Sequence, residues 1–208
     1  IHRFEVLPQR ALYWPAQHML LLADLHLGKA DTFRQFGIAV PQTVQHNDLQ
    51  RLHTLLTQIN PARCVVLGDL VHGRILSADT CEAWNTLVHS HPDTQFELVT
   101  GNHDSALKQH MLQLHAQHST LQFEDVLLTH EPIPLQALSG SNNLNIHGHI
   151  HPALRPDGSR QKLAALAYQS PYLRLPAFSI FTAGVELEGP CQALWAFFPD
   201  APLVARLI

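Results

Sequence analysis

Met19-Leu20-Leu21-Leu22-Ala23-Asp24-Leu25-His26 opens on five apolar residues and closes on two side chains that can bind a metal. A run of four or five apolar residues ended by turn residues reads as a buried strand. The pattern returns four times. Residues 64–67 lead into Gly68-Asp69, and residues 96–99 into Gly101-Asn102-His103-Asp104. Residues 126–128 lead into Thr129-His130, and Leu144-Asn145-Ile146 into His147-Gly148-His149-Ile150-His151. Donors repeated at the carboxyl ends of strands converge on the edge where α/β sheets build their sites. So many donors argue for two metal ions, and a metal pair argues for attack at phosphorus.

Between these strands the spacing turns helical. Residues 42–59 place Val44, Leu49, Leu52, Leu55, Leu56 and Ile59 on one face, with Pro41 at the first turn. Residues 78–91 repeat this with Cys81, Trp84, Leu87 and Val88 behind an N-cap at Ser77. Residues 105–118 are read as a third helix through Leu107, Met111 and Leu114. Residues 4–15 look like an opening hairpin. After His130 the chain becomes strand-like in short pieces, at 161–169, 172–175, 178–182, 193–198 and 203–207. No linker separates the halves, so one domain over residues 1–208 is expected, an α/β fold with a two-sheet β-sandwich and helices outside. The loops 28–40 and 131–143 adjoin donor motifs, and long ordered loops there carry function.

Composition narrows the classes. No apolar run approaches the ~20 residues of a membrane span. The first residues lack the order of a signal peptide. Three cysteines (Cys64, Cys81, Cys191) have no metal-type spacing and read as small buried apolar residues in a reducing cytoplasm. A formal charge of −4 argues against a broad duplex-binding face, whereas two divalent ions would neutralise it at one spot. Histidine stands out at 16 residues against 13 Lys plus Arg. His2, His18, His46, His53, His89, His91, His110, His115 and His118 lie outside the motifs and read as surface or cap residues, the last two near a helix end.

The ordered set Asp-x-His, Gly-Asp, Gly-Asn-His-Asp, His and Gly-His-x-His resembles the calcineurin-like metallophosphoesterases across residues 19–152. Ala23-Asp24-Leu25-His26-Leu27-Gly28-Lys29, Phe33-Arg34, Gly68-Asp69-Leu70-Val71-His72 and Leu175-Pro176-Ala177-Phe178 are similar to one branch. That branch is the ligase-associated DNA damage response endonucleases, often called PdeM. The resemblance implies a four-layer αββα sandwich without a large cap. It implies that Asp24, His26 and His151 hold one metal, that Asp69 bridges, and that Asn102, His130 and His149 hold the second. The chain departs from the common pattern at His72, where a carboxylate often stands.

Two carboxylates, one amide and four imidazoles without thiolate suit Mn²⁺ first, with Fe²⁺ or Zn²⁺ as alternatives, over Mg²⁺ or Ca²⁺. His103, beside a ligand but outside the ligand set, is free to protonate a leaving oxygen, with Asp104 expected to orient it. Lys29, Arg34, His72 and Arg74 lie in adjoining loops, either meeting substrate phosphate or simply solvated. The leading expectation is a two-metal phosphodiesterase, an endonuclease or DNA-processing nuclease acting on single-stranded or frayed DNA beside a ligase or helicase-type repair partner. The alternatives are a phosphomonoesterase, a cyclic-nucleotide or nucleotide phosphodiesterase, and a non-catalytic metal-bearing module, against which the presence of His103 counts. An amidohydrolase with a His-x-His pair would call for an eight-strand barrel.

Overall fold

Alternate residues of the first buried runs point to opposite faces, and each face has its own core. The computed structural model describes residues 2–41, 43–138, 144–187, 189–198 and 204–206. Gln42, the side chain of Val44, residues 139–143 of the second loop, and the ends Leu203 and Leu207 of the last expected strand lie outside them. The first sheet runs in chain order: β1 (Glu5–Leu7), β2 (Ala11–Trp14), β3 (Met19–Leu22), β4 (Arg63–Leu67), β5 (Gln95–Val99) and β6 (Ala116–His118). The opening hairpin is antiparallel, and β3 to β6 are parallel.

The second sheet contains β7 (Leu121–Phe123), β8 (Val126–Thr129), β9 (Leu144–His147), β10 (Pro152–Leu154), β11 (Leu163–Gln169), β12 (Tyr172–Arg174) and β13 (Val185–Glu186). Its order is β13-β10-β11-β12-β9-β8-β7, with β14 (Ala193–Phe197) on β11 and β15 (Val204–Arg206) on β14. Strands β8 and β9 are parallel. Their carboxyl ends therefore point the same way along the chain, as do those of β3, β4 and β5.

Met19, Leu21, Val65, Leu67 and Val99 of the first sheet pack between the sheets against Val126, Leu128, Ile146, Leu166 and Phe197 of the second. Leu20, Leu22, Cys64, Val66, Phe96 and Leu98 face outward and are covered by Leu49, Leu52, Leu55 and Leu56 of α2 (Thr43–Ile59) and by Trp84, Leu87 and Val88 of α3 (Ala78–His89). Full burial of a side chain such as Leu52 contributes roughly 1.5–3 kcal/mol. Ser77 caps α3 by accepting the Thr80 N–H at 3.2 Å. The expected sandwich is present. Both long helices lie on the first sheet, and among the described residues no α-helix follows His89.

Several expected elements differ. Loop 28–40 contains a short helix, α1 (Lys29–Gln35), which buries only Ala30 and Asp31 and so shows no apolar stripe. The helix expected at 105–118 is instead a run of 3-10 turns, Asn102–Gln109, followed by β6. His115 and His118 accordingly cap no helix: His115 Nδ1 accepts the Phe96 N–H at 3.0 Å, and His118 meets Glu97 at 2.8 Å. Residues 178–182 form a turn, not a strand. Of the cysteines Cys64 is buried, while Cys81 and Cys191 are only partly so.

Candidate metal centre

Pairing between β3 and β4 does not stop at the strand ends. Asp24 N–H donates to Gly68 O at 3.1 Å, His26 N–H to Asp69 O at 2.9 Å, and Leu27 N–H to Leu70 O at 2.8 Å. Along this extension the backbone switches to the left-handed region, with φ of 56° at Asp24, 51° at His26 and 51° at Asp69. Asp24 and His26, two residues apart, share a face of the strand, and these turns carry both to one site with His151. His149 (φ 66°) and His151 (φ 50°) do the same after β9. Gly68, at φ 76°, has no alternative: a Cβ there would lie 2.1 Å from the His130 ring. A Cβ on Gly148 would lie 2.6 Å from Asp24 Oδ2.

Two donor groups result, each with its atoms within 4.8 Å of one another: Asp24, His26 and His151, and Asp69, His130 and His149. The second takes in Asn102, whose Oδ1 lies 2.9 Å from His130 Nε2. The Leu67 carbonyl, 3.0 Å from His130 Nδ1, can only accept, so the proton sits on Nδ1 and Nε2 presents a lone pair. That lone pair faces Asn102 Oδ1 and, at 3.5 Å, Asp69 Oδ1. In the first group Asp24 Oδ1 and His151 Nε2 stand 3.0 Å apart, both buried and neither hydrogen-bonded. Electron-rich atoms crowded together without protons between them are what a cation resolves, so the residues present fit divalent ions.

The groups adjoin. His149 N–H donates to Asp24 Oδ2 at 3.0 Å, and Asp69 Oδ1 accepts the His103 N–H at 2.9 Å. Burial pushes the Asp69 carboxyl up, and the Asp24 charge adds to this. Burial, with His151, Lys29, His72 and His103 nearby, holds His26 down to about 2, keeping it a neutral imidazole. His72 falls to about 4 through burial and the neighbouring Lys29 and His103.

His103 stands at the rim, its side chain 43% exposed, stacked on His72 at 5.2 Å and edge-on to His26 at 5.6 Å. Its Nε2 lies 4.0 Å from Asp69 Oδ2. The expected orienting role of Asp104 is not what its carboxylate does. Oδ2 accepts the Gly101 N–H at 2.8 Å and Oδ1 the Val71 N–H at 3.1 Å, so Asp104 braces the loops that follow β4 and β5. Burial raises it to about 6 against those hydrogen bonds.

The basic candidates separate. Lys29 Nζ donates to Thr182 Oγ1 at 3.0 Å on the rim. Arg34 is turned away, paired with Asp31, which also accepts from Ser77 and Thr80. Arg74 is exposed. His147 is fully buried, Nδ1 donating to the Gly148 carbonyl at 2.9 Å. In the sequence Phe33 stands in a branch motif with no role attached, and Phe181 and Thr182 read only as part of a strand at 178–182.

Residues 18–179 match the model of the calcineurin-like phosphoesterases. The chain belongs to this family. A calcineurin-like phosphoesterase is a metal-dependent phosphoester hydrolase, and that is the activity class of this chain. Among solved structures, the nuclease MPE of Pseudomonas putida is similar at a TM-score of 0.79 and 26% identity, over 99% of this chain and 96% of that one. The phosphoesterase Yfce of E. coli is similar at a TM-score of 0.48 and 17% identity, over 91% of this chain and 97% of that one. A comparison with curated proteins finds no match.

Proposed function

We propose that this calcineurin-like phosphoesterase is a two-metal phosphodiesterase that cleaves nucleic acid, a DNA-processing endonuclease working in repair. The observation that carries this reading is the pair of adjoining donor groups, each with lone pairs turned on one another. Likeness to a nuclease over nearly the whole length of both chains supports the substrate class. Asp24, His26 and His151 would hold one ion, Asn102, His130 and His149 the other, with Asp69 shared. Mn²⁺ suits this mixed set best. A bound ion pair lowers the pKa of water toward neutrality and offsets charge on the phosphoryl group.

His103 holds the proton for the leaving oxygen at its rim position. Its backbone is tied to Asp69, so acid and bridge move together. Lys29 meets a phosphate oxygen beside it. The whole chain acts as one metallophosphoesterase domain without a large cap. No helix among the described residues is long and apolar enough to cross a membrane. The protein would work in the cytoplasm beside a ligase or helicase-type repair partner. The test is a parallel screen of Mn²⁺-loaded protein on single-stranded and duplex oligonucleotides, a nitrophenyl phosphodiester and its monoester. Faster diester cleavage with action on single strands is expected. A monoesterase preference with no oligonucleotide cleavage would reject the nuclease reading and leave the family activity standing.

A further inference from the structure

Residues 178–185 straddle the first donor group. Phe178 N–H donates to Ala23 O at 2.8 Å and Ser179 N–H to Asp24 O at 3.4 Å. At the other end Val185 N–H donates to His151 O at 2.9 Å. The span thus hangs from the backbone of two proposed ligands, and Phe181 lies within it. Phe33 of α1 meets Phe181 edge-to-face, the rings 5.5 Å apart at 84°. Such a contact covers at most one face of Phe181, which is only partly buried. Lys29 Nζ lies 5.8 Å from the ring centroid, at the outer limit of a cation–π contact. Its hydrogen-bond partner is the neutral Thr182 hydroxyl, so the ammonium charge is left for an incoming anion. Beyond them Phe36, Ile38 and Ile180 are 75%, 51% and 46% exposed.

We infer that Phe181, backed by Phe33 and flanked by Lys29, is a platform on which one unpaired base of a nucleic-acid strand stacks while its phosphate meets Lys29. This rests on the nuclease reading and deepens it. The chemistry matches a nucleotide unit, an aromatic base joined to an anionic phosphate, and stacking is indifferent to base identity. A duplex keeps its bases stacked on each other and cannot offer one. The platform therefore selects single strands, loops or frayed ends without reading sequence.

The test is binding, measured by fluorescence anisotropy with Mn²⁺-loaded and chelator-treated protein. The probes are a labelled oligothymidine and an equally long abasic strand. Wild type is expected to bind the base-bearing strand about ten-fold tighter, within the range for one stacked base. Phe181→Leu, which keeps apolar bulk, should erase that difference, and Phe181→Tyr should restore it. No discrimination by wild type, or discrimination surviving Phe181→Leu, would overturn the platform. Hydrolysis of the nitrophenyl diester by the same wild-type protein separates the two readings. Hydrolysis without base discrimination rejects the platform alone, whereas base-dependent binding with no diester hydrolysis rejects the phosphodiesterase and leaves the platform.

Discussion

Asp24, His26, Asp69, His149 and His151 all take left-handed φ angles. The left-handed region costs an ordinary residue about 1–2 kcal/mol, and Asp and His tolerate it better than most. That strain sits at the donors, where the backbone leaves strand geometry and the two donor groups form. His103 differs: it keeps its exposure and joins neither donor group. His103→Gln should slow hydrolysis of a diester with a poor leaving group by ~10²–10⁴. The loss should be much smaller for a nitrophenyl ester, whose leaving group needs little protonation, and metal content should be unchanged. Parallel steady-state kinetics and elemental analysis check this; an equal loss on both substrates would make His103 a positioning residue.

At the scale of elements, Asp104 ties the loop after β5 to the loop after β4 through two backbone N–H groups. Asp104→Ala leaves both without a partner, at about 1–3 kcal/mol each. The expected outcome is a lower denaturation midpoint and weaker metal retention, with the leaving-group dependence assigned to His103 intact. Strands β3, β4 and β8 were legible because burial on both faces leaves apolar runs with the donors close behind, and β5 and β9, interrupted by Glu97 and Asn145, were legible by the donors that follow them. The stretch after Asn102 was not. Leu107, Met111 and Leu114 are spaced for a helix, yet Met111 is 87% exposed. Trp84 Nε1 donates to Gln113 O, Asn85 Nδ2 donates to Met111 O, and Asn85 Oδ1 accepts the Gln113 N–H. Side chains of α3 thus take backbone groups that a helix would use, and no local pattern announces that. The donor motifs were legible as a set, whereas Asp104 misled because adjacency to His103 in sequence is not contact in space.

Across the whole molecule, one polar network joins the layers. Arg63 of β4 donates to Glu97 of β5 from Nε at 2.6 Å and Nη2 at 2.7 Å, and His118 of β6 completes it at 2.8 Å. The same guanidinium lies 4.9 Å from the Phe123 ring of the second sheet. Burial pushes the Glu97 carboxyl up, but hydrogen bonds from Arg63 and His118 outweigh it and hold the group below its usual 4.5. The unfolded chain therefore takes up the proton first as pH falls. The stabilisation is whole above that value and is lost below it, as pH falls toward the folded-state value. Glu97→Gln should cost about 1.5–3 kcal/mol at neutral pH and flatten this acid limb in urea titrations.

The two-ion claim reduces to a stoichiometry. Protein reconstituted with Mn²⁺ and freed of excess by dialysis should retain about two ions per chain by elemental analysis, and diester hydrolysis should vanish on chelation and return with the second ion. In Asp69→Asn, where the shared carboxylate is gone, both retention and rate should fall further than in any other single ligand variant. A saturated wild type with one ion per chain, or full activity supported by Mg²⁺ alone, would contradict it.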